Sequence, residues 1–358
     1  WDGGAHSLGG LLFARLLLQL SDAPFQYAET FLANYWPTVG SLFFYPYGYD
    51  LLTAISYLIF GFNDFAARAP NMIASVLLFH PIYLISRYVY DETTGYVAAV
   101  FGAVTPYFIS WGGRATVDVS MVFLTTYAVY YLLIATNSSD RRAWILGGFI
   151  LGCASLLKPT AIILGAPLFG AAVIVERGHL TDKWYFVGGL VGILIFGTYI
   201  LSGVLAQFLF PGIGDLAMGN VLHWFGSAVT YAESTDPTWQ SLAGWLYYPL
   251  RIPGQFGWVI ALLSVGGIIY QSSRKNLKNS EKVLLITIFF IYLVYVILNN
   301  KDGRYVMPYA PLFCVFAGIA AVSCAEALNG QLTRDSLVVP SVLSALLILS
   351  LATSGLAL

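Results

Sequence analysis

The sequence predicts an all-α protein, a polytopic bundle of transmembrane helices. Of its 358 residues, 58% are hydrophobic and 10% are charged, and the mean hydropathy is +0.74. Soluble chains carry about 25% charged residues, so this chain lacks the polar surface that a globule in water needs. Long apolar runs recur along the chain, and one helical crossing takes about 20 residues, which leaves room for about ten spans.

The same composition excludes other classes. The 24 Phe, 24 Tyr and 9 Trp are too much apolar mass for a disordered chain. The formal net charge of −1 gives no basic surplus for phosphates, so no nucleic-acid partner is expected. Cys153, Cys314 and Cys324 lie in apolar runs without metal-ligand spacing and are interpreted as small buried hydrophobes.

Residues 1–66 form a predicted first loop, which is extracytoplasmic if 49–62 does not span the membrane. Its runs 8–20 and 25–35 are short, interrupted by charges and rich in aromatic residues, which is typical of amphipathic interfacial helices. Residues 49–62 fit either a short span or another interfacial helix. Because the chain starts at Trp1 and stops inside an apolar run, we expect a fragment at both ends, with a span before Trp1.

Residues 67–358 form the predicted transmembrane bundle. Two short runs meet at Lys158-Pro159, where proline ends one helix and opens the next. The largest polar excursion, 207–250, is a predicted outer loop. The predicted spans cover residues 70–90, 94–111, 119–137, 143–158, 160–176, 184–206, 252–271, 282–299, 305–326 and 336–355.

Lys and Arg residues predict the orientation of these spans. They concentrate in alternate connections, above all in 273–282, and we expect that side to be cytoplasmic. The other side then receives 112–118, Lys158, 207–250 and 300–304. Within the spans, His80 is the one ionisable residue near a predicted midplane.

This distribution weighs against an ion-coupled transporter, whose carboxylates or histidines usually lie in mid-membrane. If 49–62 does not span, the charges outside the predicted cytoplasmic connections share one face. That favours chemistry at a membrane surface, where cations hold a lipid phosphate and acids activate an acceptor. The simpler alternative for each such charge is an interfacial anchor.

A set of motifs points to a family. They are WDGGAH at 1–6, YPYGYDLL at 45–52, ARAPNMIASVLL at 67–78, RATVD at 114–118, LLKP at 156–159 and GRYVMPYAPL at 303–312. In this order they resemble the GT-C type glycosyltransferases that use polyprenyl-phosphate sugars, in particular the protein O-mannosyltransferases and lipid A aminoarabinose transferases (glycosyltransferase family 39-like). The resemblance implies a GT-C bundle and places 45–62 on the outer face.

Sugar transfer from such a carrier needs a carboxylate that deprotonates the acceptor hydroxyl as it attacks C1. The resemblance implies that Asp2 is this base, with Gly3 where relatives often carry a second acid. It also implies that Asp118 contacts the sugar or assists the base. An interfacial charge or a helix N-cap is the alternative for Asp2, and ordinary capping for Asp118. A single base without a covalent intermediate implies inversion at C1.

Positive charge is needed where negative charge grows on the leaving phosphate. Lys158 is the first candidate, because a lysine inside apolar sequence is costly unless paired, and relatives place a lysine here near the lipid phosphate. Arg304 is the second, with a planar fork that suits phosphate oxygens, or else a side chain that snorkels from a helix end. Arg114 either pairs with Asp118 four residues later or faces the phosphate.

Further sugar or acceptor contacts are less specific. His6 shares a helix face with Asp2 if this stretch is helical, where it orients a carboxylate, binds metal or is a plain interfacial histidine. The tyrosine-rich segment with Tyr45 and Tyr49 resembles the outer helix that lines the donor cavity, and an aromatic belt is the alternative. His223 and Glu233 belong to the loop 207–250, which relatives use near donor or acceptor.

Two smaller points complete the predicted site. Lys301 and Asp302 are interpreted as a possible pair with each other. Some relatives carry a Glu or His ahead of the proline at Pro46 that helps to bind a divalent metal, whereas Phe44 and Tyr45 stand there in this chain. No metal is expected from this motif, although the outer histidines and acids leave the question open.

The sequence therefore predicts an integral-membrane, inverting glycosyltransferase with its active site on the extracytoplasmic or lumenal face of the plasma membrane or ER. It would move a mannose-like hexose or modified pentose from a polyprenyl-phosphate carrier to a hydroxyl of a protein, glycan or lipid. No cofactor is required, and no GxGxxG or P-loop pattern occurs. The alternatives are a transporter or lipid-carrier flippase, and a non-catalytic subunit of a glycan-assembly complex.

Overall fold

The computed structural model describes residues 2–18, 30, 46–209, 237–298, 301–331, 341, 344–346 and 348–350. Every regular element in these ranges is a helix, so the predicted all-α class is confirmed. Three short 3₁₀ segments lie at Arg177–Thr181, Pro249–Arg251 and Gly303–Tyr309. The α-helices are α1 (Asp2–Leu18), α2 (Gly48–Phe60), α3 (Asp64–Leu77), α4 (Phe79–Val89), α5 (Glu92–Val104), α6 (Pro106–Gly112), α7 (Asp118–Ser138), α8 (Arg141–Leu157), α9 (Thr160–Val175), α10 (Lys183–Leu209), α11 (Leu242–Leu246), α12 (Ile252–Phe256), α13 (Trp258–Ser273), α14 (Asn279–Ile297) and α15 (Ala310–Gln331).

The described part of the chain contains five helical stretches that are long and apolar enough to cross a membrane. Shorter apolar helices, among them α9 and α13, lie at other predicted spans. The protein is therefore an integral membrane protein with several crossings. The long stretches are Asp64–Val89, Asp118–Ser138, Lys183–Leu205, Asn279–Ile297 and Gly303–Leu328.

Local sequence explains the breaks in two of the predicted spans. The run 94–111 divides at Thr105, which is extended because a residue before proline disfavours the α region. Pro106 then opens α6. The run 252–271 divides at Gly257, whose φ of 81° lies in the left-handed region that glycine tolerates best.

The ambiguous segment 49–62 forms α2, which has 13 residues. A helix of that length is about 20 Å long, against a hydrocarbon core of about 30 Å. This length favours an interfacial helix over a span. The predicted interfacial run 8–20 corresponds largely to α1, whereas most of 25–35 and of the predicted span 336–355 lies outside the described residues.

Helix α8 packs against both α7 and α10. Its contact with α10 is close at Gly148, where an added Cβ would collide with the backbone carbonyl of Gly188. Large buried side chains such as Trp144 and Phe316 fill the core.

The two ends of the bundle carry different connections. At one end, Arg274 pairs with the buried Glu281 at 3.0 Å, and Lys278 Nζ donates to the Val89 carbonyl at 3.4 Å. Arg141 lies at this end too, because it starts α8. At the opposite end, α7 begins and α8 finishes, so Asp118 and Lys158 meet there.

Candidate active site

A buried ion pair joins the predicted residues Asp118 and Lys158. Lys158 Nζ donates to Asp118 Oδ1 at 2.6 Å, and the two side chains are 7% and 3% exposed. Pro159 explains the geometry. It pushes Lys158 into an extended conformation as the C-cap of α8, so the side chain leaves the helix toward the first turn of α7. An acid at a helix start and a cation at a helix end are also favoured by the helix dipoles.

A group of tyrosines lies on one side of this pair. Lys158 Nζ lies 5.7 Å from the centroid of the Tyr305 ring. Tyr295 stacks on Tyr305 with centroids 5.2 Å apart and an interplanar angle of 18°. Tyr107 donates from its hydroxyl to the Gly303 carbonyl at 2.8 Å. The sequence reasoning did not single out these tyrosines, since 24 tyrosines offer no local signal to choose among them.

Arg304 is held by Asp302. Its Nε and Nη2 each lie 2.7 Å from Asp302 Oδ2, and its backbone N–H donates to Asp302 Oδ1 at 2.8 Å. The anticipated pair of Lys301 with Asp302 is therefore wrong, because Asp302 caps the 3₁₀ turn beside Arg304. Lys301 Nζ instead donates to backbone carbonyls, including those of Tyr295 and Leu298.

Arg114 does not pair with Asp118, so that alternative is wrong. Its guanidinium carbon lies 4.4 Å from the centroid of the Trp111 ring, and the corresponding carbon of Arg304 lies 5.8 Å from the same centroid. One indole therefore gathers two arginines at this end of the bundle. The remaining alternative, that Arg114 faces phosphate, stays a prediction.

The connection that carries Arg114 is fixed by Asn71, which is fully buried. Asn71 Nδ2 donates to the carbonyls of Trp111 and Arg114 at 3.0 and 3.1 Å. Its Oδ1 accepts from Ser120 N and Oγ at 3.0 and 2.9 Å. The sequence reasoning missed this role, although an asparagine inside an apolar run is a signal of the same kind as Lys158.

Arg251 is a further cation that sequence reasoning did not assign. Its guanidinium carbon lies 4.2 Å from the centroid of the Tyr247 ring, and its Nη1 lies 3.6 Å from the position of a Cβ added to Gly303. Among the described residues, no carboxylate forms an ion pair with Arg251 or Arg114. After Asp118 and Asp302 are matched with Lys158 and Arg304, two arginines keep an excess of positive charge here.

The first outer loop contributes a second buried pair. His6 Nδ1 of α1 lies 2.8 Å from Asp50 Oδ1 of α2, with both side chains 3% exposed. Burial raises the pKa of the Asp50 carboxyl, and the hydrogen bond and charge of His6 partly lower it. His6 thus contacts a carboxylate, as one interpretation anticipated, and that carboxylate is Asp50.

Tyr49 connects this pair with the first one. Its ring meets the His6 ring edge-on at 5.2 Å. Burial, then the charge of Asp50, then that of Asp118 raise the pKa of the Tyr49 hydroxyl. The predicted site residues His6, Tyr49, Asp118 and Lys158 are thus brought together.

Other predicted site residues cannot be compared in the same way. Asp2 is the first residue of α1, and its side chain lies outside the described part. Tyr45, His223 and Glu233 also lie outside the described residues. Within the described ranges, no group of three or more His, Cys, Asp or Glu residues could hold a metal ion.

An apolar groove opens beside the ion pair. It has a volume of about 340 Å³ and runs between α2, α3 and α7. Its wall includes Ser120 and Leu157, each one or two residues from a member of the Asp118–Lys158 pair. The rest of the lining is largely apolar, with Leu52, Ile55, Ile59, Phe60, Ile73, Leu77 and Phe123 among its residues.

Comparison with known proteins agrees with this architecture. Residues 45–201 match the family model described as dolichyl-phosphate-mannose-protein mannosyltransferase. The chain is also 24% identical over 310 residues to undecaprenyl phosphate-alpha-4-amino-4-deoxy-L-arabinose arabinosyl transferase 2 of Proteus mirabilis (strain HI4320). That alignment covers 84% of this chain and 51% of the relative, so the chain spans about half the length of that relative.

Solved structures show the same fold. ArnT from Cupriavidus metallidurans bound to undecaprenyl phosphate matches with a TM-score of 0.69 at 14% identity, over 87% of this chain and 65% of that one. The oligosaccharyltransferase AglB from Archaeoglobus fulgidus, in complex with an inhibitory peptide and a dolichol-phosphate, matches with a TM-score of 0.59 at 14% identity, over 88% and 47%.

The protein is therefore a membrane protein of the GT-C type fold. Its resemblance to the protein mannosyltransferases and to the aminoarabinose transferases, inferred from the motifs, is confirmed.

Proposed function

We propose that the protein is an inverting glycosyltransferase that takes a sugar from a polyprenyl-phosphate carrier and transfers it to a hydroxyl group. The observation that carries this proposal is the buried Asp118–Lys158 pair, which lies at one end of a membrane bundle, beside an apolar groove and two arginines that form no ion pair with a carboxylate of the described residues. Such a site offers charge to a phosphate and an apolar surface to a lipid tail. The similar structures support the carrier, since that of ArnT is bound to undecaprenyl phosphate and that of AglB contains a dolichol-phosphate.

The charge balance of the reaction suits this site. A sugar attached to a polyprenyl phosphate forms a phosphodiester with one negative charge, and the released carrier phosphate approaches two. Arg251 and Arg114 supply positive charge that offsets the negative charge gained by the leaving phosphate, in a region where water is partly excluded and electrostatic interactions are stronger. Lys158 adds a third cation when a sugar hydroxyl replaces it on Asp118, or when the phosphate replaces Asp118 as its acceptor.

The transfer itself needs one proton acceptor. The acceptor oxygen bonds to C1 of the sugar while its proton passes to the carboxylate of Asp2. The bond between C1 and the phosphate oxygen breaks at the same time, and its electron pair stays on the phosphate. Asp118 orients the sugar. Attack from the face opposite the phosphate inverts the configuration at C1.

The apolar groove between α2, α3 and α7 takes the first isoprene units of the carrier. Burial of each apolar carbon against its wall contributes about 0.8 kcal/mol. With Ser120 and Leu157 on that wall, a tail in the groove leaves its phosphate at the Asp118–Lys158 pair.

The similar proteins indicate only the chemical class of the sugar and of the acceptor. A mannose-like hexose or a modified pentose is the donor sugar, and a protein, glycan or lipid hydroxyl is the acceptor. The site faces the extracytoplasmic or lumenal side, because the opposite end carries the basic connection 273–282.

Transfer in proteoliposomes tests this function. The purified chain is supplied with synthetic polyprenyl-phosphate mannose or 4-amino-4-deoxyarabinose and a panel of hydroxyl acceptors, and transferred sugar is measured by mass spectrometry. Asp2→Asn should lower transfer by about 10²–10⁴-fold, the usual contribution of a general base, and Lys158→Met should lower it as well, whereas Lys183→Met, a cation at the opposite end of the bundle, should not change it. Full activity of Asp2→Asn would refute the role of the base, and no transfer from any donor would refute the class. Movement of the intact donor across the bilayer without transfer would favour a flippase.

A further inference from the structure

Helix α1 lies on α2 along a single stripe of residues spaced four apart. His6 and Ala14 are buried on this stripe, and a Cβ added to Gly10 would lie 2.5 Å from Thr53 Cγ2. His6 meets Asp50 and Gly10 meets Thr53, so the contacts advance in the same direction along both helices. Residues four apart share one face of a helix, and Asp2 is therefore the next position of the same stripe.

The start of α2 is in turn fixed on the rest of the bundle. A Cβ added to Gly48 would lie 2.6 Å from the Leu156 carbonyl oxygen, two residues before Lys158. Tyr47 shares a 2.7 Å hydrogen bond with Thr198 on α10. The contacts between α1 and α2 run from Gly10 and Thr53 to His6 and Asp50, toward the start of α2. The backbone of Asp2 therefore lies on the side of the Asp118–Lys158 pair.

The His6–Asp50 contact joins two ionisable side chains that are both almost fully buried. Farther along the same interface, Gly10 and Ala14 make close apolar contacts, and Ser7 hydrogen-bonds to Tyr57. A buried carboxylate without a partner is strongly unfavourable, so its hydrogen bond to His6 fixes both the rotation and the height of α1. Charged groups near the other end of this interface have contacts of their own, since Asp64 and Arg68 of α3 pair at the surface and Arg15 of α1 lies over the Phe62 ring.

We propose that His6 and Asp50 form a positioning pair, which holds the first turn of α1, with Asp2, at the Asp118–Lys158 pair. The proposal rests on the proposed function only for the role of Asp2. Neither His6 nor Asp50 touches the reacting atoms in this scheme. Both act through the placement of the helix that carries the base.

Thiol labelling tests the placement without any transfer reaction. Gly3→Cys serves as the probe, in a chain whose native cysteines are replaced by alanine. His6→Ala and Asp50→Ala should each speed labelling of residue 3 by about tenfold, since local opening depends on the contacts that hold a segment. The double variant His6→Ala/Asp50→Ala should be labelled only slightly faster than either single variant. His6→Asn, whose side-chain amide reaches the Nδ1 position, should restore slow labelling. His80→Ala is the matched control, since it removes a histidine hydrogen-bonded to Tyr127 elsewhere. Unchanged labelling in His6→Ala would overturn the proposal.

Transfer kinetics then separate positioning from general stability. His6→Ala should lower kcat by up to about 100-fold, because small displacements of a catalytic group can cost that much, while KM for the donor stays unchanged. In the Asp2→Asn background the same substitution should cause no further loss. An equal loss in that background, or a failure of His6→Asn to recover kcat, would contradict the positioning role. If the unaltered chain transfers no sugar, the proposed function fails, while the labelling result still decides whether the pair holds α1.

Discussion

Lys158→Met is the sharpest test of the buried ion pair, because methionine keeps the length of the side chain and removes its charge. At 2.6 Å between Lys158 Nζ and Asp118 Oδ1, the Coulomb attraction is about 6 kcal/mol at an effective dielectric constant of about 20. Burial of each ion costs several kcal/mol, so the intact pair contributes little net stability. A single substitution, however, leaves Asp118 charged and unmatched.

We therefore expect Lys158→Met to lower the free energy of unfolding by about 3–5 kcal/mol. The double variant Asp118→Asn/Lys158→Met should regain most of this loss, because neither charge then remains buried alone. Arg304→Met provides a matched control with nearly the same distance to its partner. Asp302 is 30% exposed, and a solvated pair of this kind contributes at most about 1 kcal/mol.

Denaturant titration in mixed micelles, with tryptophan fluorescence as the signal, measures five proteins: the wild type, Lys158→Met, Asp118→Asn, their double variant and Arg304→Met. A smaller loss of unfolding free energy in Lys158→Met than in the Arg304→Met control would refute the prediction. It is also refuted if the losses of the two single variants simply add in the double variant, since the charges would then not be coupled.

Three further predictions follow from the same geometry. Arg251→Gln should raise KM for the lipid-linked donor about tenfold, the loss of one charged hydrogen bond, and an unchanged KM in the transfer assay would exclude Arg251 from the phosphate site. Asn71→Leu should cost about 3 kcal/mol of unfolding free energy, because the buried Ser120 N–H and nearby carbonyls lose their partners; wild-type stability by denaturant titration would contradict this. His6→Ala should lose more thermal stability at pH 7.5 than at pH 5. Burial raises the pKa of the Asp50 carboxyl above its ordinary value of about 3.9. At a pH between the two values, Asp50 is ionised in the unfolded chain but keeps its proton in the folded variant. The free energy of unfolding therefore falls as pH rises. A melting-temperature difference independent of pH would refute it.

Much of the site could be anticipated from local sequence. Lys158 interrupts an apolar run and precedes proline, so its cost in the membrane and its exit from the helix both follow from neighbouring residues. Asn71 carried the same signal and was overlooked. The breaks at Thr105 and Gly257 also follow from local sequence, because Pro106 comes after Thr105 and position 257 is a glycine. The continuous apolar runs led to one uninterrupted span being predicted at each place.

The partners of these residues were harder to anticipate. Arg114 stands four residues before Asp118, the spacing of a helical pair, yet this connection is not helical between them and Asp118 bonds Lys158 instead. Likewise, Asp302 neighbours Lys301 in the chain but turns to Arg304, because it caps the short 3₁₀ segment.

The sequence by itself determined that this protein lies in a membrane, that it is all helical, and which rare charges and motifs mark one of its ends. Composition suffices for this, since the cost of burying polar groups in hydrocarbon acts on each segment separately. Only the tertiary structure decided that Lys158 neutralises Asp118 and His6 meets Asp50, while Arg251 and Arg114 meet no carboxylate in the part of the chain that the structure describes. Those relations depend on distances between helices tens of residues apart, and electrostatic energy follows distance and burial rather than order along the chain.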